Sequence, residues 1–140
     1  MGVPNHGYTQ VFVEGRLRQL HILLMHTFNP SPLPGARLDI DHIDRDRSNN
    51  KLSNLRWTTH QINTLNTTSR GVYKAPKGKS WTIYPVRPDF PSVCSFEKKE
   101  DAEHEFFRRR KVKEDRLWAE FKHRCLVYRE FDTGRRACLG

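Results

Sequence analysis

Long hydrophobic runs are missing from this 140-residue chain. No apolar stretch exceeds four residues, Ile22–Met25 being one of that length, whereas a membrane-spanning helix needs roughly 18 or more. The N-terminus is polar and lacks the apolar segment of a secretory signal. These absences argue against a membrane protein and a Sec-exported one, so the expected location is the cytoplasm. Cysteine is also scarce. Cys94, Cys125 and Cys138 are odd in number, far apart and never form a CxxC pair. That excludes a zinc ribbon and a disulfide framework and suggests reduced packing residues.

Acidic residues are the third shortage. Sixteen Asp and Glu face 25 Lys and Arg, for a net charge of +9 and a pI near 9.8. A small chain this basic usually meets a polyanion, most often nucleic acid. A basic ribosomal-type surface without catalysis would carry the same charge. With 36% hydrophobic residues, the chain can bury only modest cores, in one domain or two very small ones.

Alternation predicts a hairpin over Tyr8–Val13 and Arg16–Leu20, turning at Glu14-Gly15. Ile22, Met25 and Phe28 have helical spacing, so a short helix should cover His21–Phe28 and stop before Asn29-Pro30. Leu38–Ile43 reads as a strand, Asp44–Asn50 as an exposed loop, and Thr58 or Thr59 can cap a helix reaching about Asn66. A junction is expected at Thr67–Arg70. Residues 1–70 carry 8 basic and 5 acidic groups, or +3; residues 71–140 carry 17 and 11, or +6. The second half begins with three candidate strands, Gly71–Lys74, Trp81–Arg87 and Ser92–Phe96. A helix starting near Glu97 continues or resumes through Leu117, Phe121, Cys125 and Tyr128, and the last ten residues are expected to fray.

The stretch that points to chemistry is Asp39–Asn63. Hydrolysing a phosphodiester requires charge neutralisation at the phosphate and an activated water. A hard divalent cation neutralises charge and prefers oxygen ligands; Asp41 offers a carboxylate and Asn63 an amide oxygen. His42 can accept a proton near neutral pH. Neighbours on a strand point to opposite sides, so Asp41 and His42 can work on two flanks of one phosphate. Asn54 is suited to fixing the loop and the imidazole by hydrogen bonds.

These residues resemble the HNH (ββα-metal, or His-Me finger) nucleases, especially the homing endonucleases encoded by phage introns. The matching elements are His21-Ile-Leu-Leu-Met-His-Thr-Phe28, Asp41-His42-Ile-Asp44, Asn49-Asn50, Asn54-Leu55-Arg56-Trp57 and Asn63. The resemblance implies His42 as general base, Asp41 and Asn63 as ligands of one Mg²⁺ or Mn²⁺ per site, Asn54 as the structural middle Asn of the motif, and Leu55 and Trp57 packed behind the site. Ile22 stands where the family usually has Arg, and Arg45 where it usually has Gly. In the second half, Gly71-Val72-Tyr73, Lys79-Ser80-Trp81-Thr82-Ile83, Phe96, Lys98–Ala102 and Phe106 look like the plant ethylene-response (APETALA-type) DNA-binding domain. Ser95 and Glu103 depart from that pattern.

The implied fold class is α+β: an N-terminal ββα-metal nuclease domain over 1–68, then a small three-stranded sheet plus helix over 69–140 with a helical extension. A twisted sheet fits a major groove, with Arg70, Lys74, Lys77, Lys79, Trp81 and Arg87 as candidate DNA contacts. The expected activity is site-specific, metal-dependent cleavage of double-stranded DNA to 5′-phosphate and 3′-hydroxyl ends, as a nick by a monomer or weak dimer. The alternatives are a non-catalytic DNA-binding regulator on the same scaffold and a basic RNA-binding protein. Several residues have blander readings. His21 reads as a packing residue more readily than as part of the site. His60, one turn before Asn63, has no ligand role in the family. Arg108–Lys111 fits a solvated helix face as well as a DNA clamp, and Trp118 and Phe121 read as core.

Overall fold

A computed structural model describes residues 3–5, 7–66 and 71–139; side chains are described over 7–66 and 71–134. The expected junction at 67–70, including Arg70, lies outside the described residues. The fold is a mixture of small antiparallel sheets and helices. Its residues divide into two compact units, 1–66 together with 121–140, and 67–120. Among the described residues, no helix is long and apolar enough to cross a membrane.

In the first unit, β2 (Tyr8–Val13) and β3 (Arg16–Gln19) form the expected hairpin, with Val13 opposite Arg16. Glu14 and Gly15 take φ of 49° and 77°, the left-handed pair that closes a two-residue hairpin turn. A short β1 (Val3–Asn5) adds to the β2 edge. The chain then enters α1 (Leu20–Phe28), which buries His21 and Met25 one turn apart on its inner side. The helix ends where Asn29 N–H donates to Met25 O at 2.9 Å, just before Pro30.

β4 (Asp39–His42) and β5 (Leu55–Thr58) pair antiparallel, setting Asp41 opposite Arg56 and His42 opposite Leu55. The loop between them is tied by its own polar side chains and ends in one 3₁₀ turn, Leu52–Asn54. α2 (His60–Leu65) follows β5 directly. Thr59 caps it, its hydroxyl accepting from Ile62 N–H at 3.3 Å, and Ile62 is fully buried beneath it.

In the second unit, β6 (Val72–Lys74), β7 (Trp81–Ile83) and β8 (Cys94–Phe96) make an antiparallel meander. One face of this sheet packs on the first part of α3 (Lys99–Leu139), whose residues from 121 on belong to the first unit, giving a core of Ile83, Val86, Ala102 and Phe106, with Val72, Trp81, Phe90, Cys94 and Phe96 against it. Gly71 sits at φ 61°, and a Cβ there would overlap the Phe106 ring, so the entry to β6 requires glycine. Arg116 reaches both carboxylate oxygens of Asp89, at 2.9 and 3.1 Å, and ties the β7–β8 connection to the helix.

α3 is one continuous helix of 41 residues, so the frayed ending expected from the polar composition gives way to helix through Leu139. Leu117 and Phe121 are buried and Trp118 is half-buried, in keeping with a packing role. Cys94 and Cys125 are free thiols.

Candidate active site

The site is built on β4, whose alternation sends successive side chains to opposite faces. Asp39 and Asp41 share one face and His42 occupies the other. Both Asp41 and His42 are about 5% exposed. Burial of two such groups is costly without partners, and each has partners of its own.

On the histidine face, the His42 Nε2 lies 3.0 Å from Asn50 Oδ1. Asn50 in turn donates its Nδ2 to Ser48 O at 3.3 Å, which orients the amide with its oxygen toward the ring. An amide oxygen only accepts, so His42 Nε2 carries the hydrogen and Nδ1 keeps the basic lone pair. Rings pack around this imidazole. His21 meets it edge-on with centroids 5.0 Å apart, and Tyr8 lies 5.9 Å away. Tyr8 also stacks on His21 at 5.0 Å, and the Arg47 guanidinium covers the Tyr8 ring at 4.7 Å. Burial, aided by the neighbouring His42 charge, lowers the His21 pKa to about 4. His21 is therefore neutral at physiological pH, and its buried Nδ1 meets no hydrogen-bond partner among the described residues.

On the aspartate face, Arg56 donates Nε and Nη2 to Asp41 Oδ2 at 2.9 and 2.8 Å. Asn66 spans the same carboxylate, its Nδ2 lying 3.0 and 3.1 Å from the two oxygens, and also donates to His42 O at 2.9 Å. Asn63 donates its Nδ2 to Asp39 Oδ2 at 3.0 Å, where His60 Nδ1 also arrives at 2.9 Å. Burial alone would raise the Asp39 carboxyl. The hydrogen bonds from Asn63 and His60, with the charges of His60 and Arg37, outweigh it and hold the group below its ordinary value. Asp39, Asn63, Tyr8, His21 and Trp57 also line a cavity of about 310 Å³.

Asn54 is buried and directed at the loop. Its Oδ1 accepts from Asp44 N–H at 3.0 Å, and its Nδ2 donates to Asp44 Oδ1 and Asn49 O, both at 2.9 Å. It clamps the ends of the β4–β5 connection, as expected of it, while the bond expected from it to the imidazole is made by Asn50. Asp44 is held low chiefly by the hydrogen bond from Asn49, then by the Asp46 amide, with Asn54 and the His42 charge adding to them against burial. Trp57 packs as expected, its Nε1 donating to Asn29 O at 2.6 Å and its ring meeting His26 edge-on at 5.2 Å.

Sequence reasoning assigned no role to Asp39, Asn50, Arg56 or Asn66, and each had a signal. Asp39 is two residues from Asp41 on one strand face, Asn66 follows Asn63 by three residues as the cap that ends α2, and Arg56 is the cross-strand partner of Asp41. Asn50 belongs to the Asn49-Asn50 pair of the motif.

The candidate DNA contacts of the second half divide. Lys77, Lys79 and Arg87 are exposed. Trp81 is half-buried against the core, with the Lys74 and Lys99 ammonium groups 6.0 and 5.5 Å from its ring centroid. The opposite face of the sheet carries Tyr73 and Ser95, both exposed, with Thr82 buried between them. Tyr73 and Tyr84 are both exposed and their ring centroids lie 4.5 Å apart. Arg108 and Arg109 both pair with Glu105, and Arg109 also donates to Ser92 O and Cys94 Sγ. These two cations serve the fold.

Residues 18–65, from the end of β3 through α2, match the family model described as HNH endonuclease. The chain is also 33% identical over 81 residues to the DNA endonuclease I-HmuI of Bacillus phage SP01. That stretch is 55% of this chain and 45% of the relative, so the chain spans about half the length of the protein it matches. No solved structure matches the chain.

Proposed function

We propose that this chain is a site-specific DNA endonuclease of the HNH homing type, in which β4, β5 and α2 form the ββα-metal unit. The observation that carries the reading is the placement of Asp41 and His42, buried on opposite faces of β4 inside the matched segment. A fold with no chemistry to perform gains little from burying a carboxylate and an imidazole side by side.

A divalent metal, Mg²⁺ or Mn²⁺, fits the donor set. Asn63 commits its Nδ2 to Asp39, which leaves its amide oxygen to serve a cation together with the Asp41 carboxylate. Among the described residues no three His, Cys, Asp or Glu side chains form a metal cluster. The ligands would therefore be one carboxylate and one amide, with water and phosphate completing the shell. When bound, the ion supplies charge neutralisation at the phosphate. The chain does the rest. His42 Nδ1 takes the proton of the attacking water, and Asn50 Oδ1, on Nε2–H, holds the ring and favours the imidazolium that results. Asn54 keeps the loop that carries Asn50 in shape. The products are 5′-phosphate and 3′-hydroxyl ends, and one site per chain makes the event a nick.

The second half binds duplex DNA. Its open sheet face offers Tyr73, Tyr84 and Ser95, with Lys77 and Lys79 in the β6–β7 turn and Arg87 after β7 supplying positive charge. An endonuclease of phage type works where that DNA lies, in the host cytoplasm.

Cleavage of a random-sequence duplex library with Mg²⁺, with and without chelator, tests the reading. A discrete set of nicked sites that disappears with chelator is expected. Tight binding without cleavage of any library member contradicts it and favours a DNA-binding regulator.

A further inference from the structure

We propose that Arg56 is a counter-cation built into the metal site, which holds divalent ions off Asp41 until a DNA phosphate engages its guanidinium. The proposal rests on the reading of Asp41 as a metal ligand. Two N–H groups of Arg56 converge on Asp41 Oδ2, at 2.9 and 2.8 Å. The register sets the two residues directly opposite on β4 and β5, so the pair is imposed by the sheet and forms whenever the hairpin does. A dication approaching this carboxylate meets an anion already neutralised, with a full positive charge beside it in a partly desolvated site.

Exposure separates the two partners. The Asp41 side chain is 5% exposed and that of Arg56 is 28%. The carboxylate faces inward while the Arg56 side chain is partly exposed, on the side from which a phosphate can approach. Guanidinium binds phosphate through the same paired N–H geometry it uses on carboxylate. A phosphate that shares Arg56 lowers the cost of placing a dication on Asp41 and adds negative charge of its own. Asn66 stays on both carboxylate oxygens and on His42 O, so Asp41 keeps its orientation when its counter-ion changes. Metal loading and DNA binding are then coupled through one side chain, and the free protein carries little metal. The competing account is a cross-strand ion pair that serves only to hold β4 to β5.

The two accounts differ in Mn²⁺ affinity without DNA. Titration of the full chain, followed by the electron paramagnetic resonance of free Mn²⁺, is run on wild type, Arg56→Met, Arg56→Gln and Asp41→Asn. Arg56→Gln removes the charge while keeping a hydrogen-bond donor for Asp41, so it serves as the folded control should Arg56→Met fail to fold. Both Arg56 variants are expected to bind Mn²⁺ at least tenfold more tightly than wild type. They are also expected to bind a random-sequence duplex in EDTA several-fold more weakly. Mn²⁺ affinity equal to or below wild type in a folded Arg56→Gln overturns the proposal, as does unchanged duplex affinity. Asp41→Asn separates the two readings. If it abolishes Mn²⁺ binding while the Arg56 variants change nothing, Asp41 stands as a ligand and only the counter-cation fails. If it leaves Mn²⁺ binding intact, the ligand reading fails and takes the counter-cation with it.

Discussion

The two halves of the chain bury different things. Among the described residues up to 66, the buried polar side chains are His21, Asp41, His42, Asn54 and Thr58, set against an apolar core of Met25, Leu55 and Ile62. Over 71–120, Thr82 is the buried polar side chain, and Ile83, Val86, Ala102, Phe106 and Leu117 make the apolar interior. The second half is held by hydrophobic contact between a sheet and a helix, which is the inexpensive way to stabilise a small unit. The first half spends stability on a polar interior whose groups need hydrogen-bond partners. That difference accords with the proposal that the first half carries the chemistry, and mutations should separate stability from activity along the same line.

The largest effect on stability belongs to the second half. Gly71→Ala forces a Cβ at φ 61° into the Phe106 ring and should cost about 3 kcal/mol, combining a left-handed backbone penalty with overpacking. Urea unfolding measures it, and a loss well under 1 kcal/mol would show that the Phe106 contact is not tight. Asn50→Ala should do the converse. It removes the acceptor at His42 Nε2, slowing cleavage by about 10- to 100-fold with little change in the unfolding midpoint.

The third effect depends on pH. Native His21 stays neutral down to about 4, against an ordinary 6.5. The unfolded chain therefore binds more protons between those values, and stability falls as the pH drops through that window, by up to about 1.4 kcal/mol per unit. Above the window the group contributes no slope. His21→Phe keeps a ring against His42 and Tyr8 and should flatten this part of the stability profile. An unaltered acid slope would show that His21 is protonated in the fold. The smallest effect concerns Arg45, which sits at φ 66° with its N–H on His42 O at 2.9 Å. Arg45→Gly should stabilise the protein by up to about 1 kcal/mol, read as a higher unfolding midpoint, with cleavage unaffected.

Much of this arrangement was legible in the sequence. Alternation and turn residues located the β2–β3 hairpin, helical spacing located α1, and the Thr58-Thr59 pair, of which Thr59 is the cap, marked the start of α2. The Asp41-His42 pair identified β4 as the strand of interest. Arg45 was visible as a departure from glycine, and its backbone angle shows what that glycine would do. What stayed hidden depended on paths through space. Which of Asn49, Asn50 and Asn54 reaches the imidazole is decided by the hydrogen-bonded course of the β4–β5 loop, and composition carries no record of it. That Asn63 turns to Asp39, and Asn66 to Asp41, depends on how α2 lies against β4. Strands of three residues are too short for alternation to reveal which face of Trp81 meets a helix. The polar last ten residues suggested fraying because side-chain polarity says little about helix continuity.

The account rests on His42 as the group that moves the proton. The direct measurement is the single-turnover cleavage rate of His42→Ala against wild type on a cut site recovered from the library, with duplex affinity measured on the same samples. The account predicts affinity within a few-fold of wild type and a rate lower by about 100- to 10,000-fold. Cleavage by His42→Ala at the wild-type rate would contradict it.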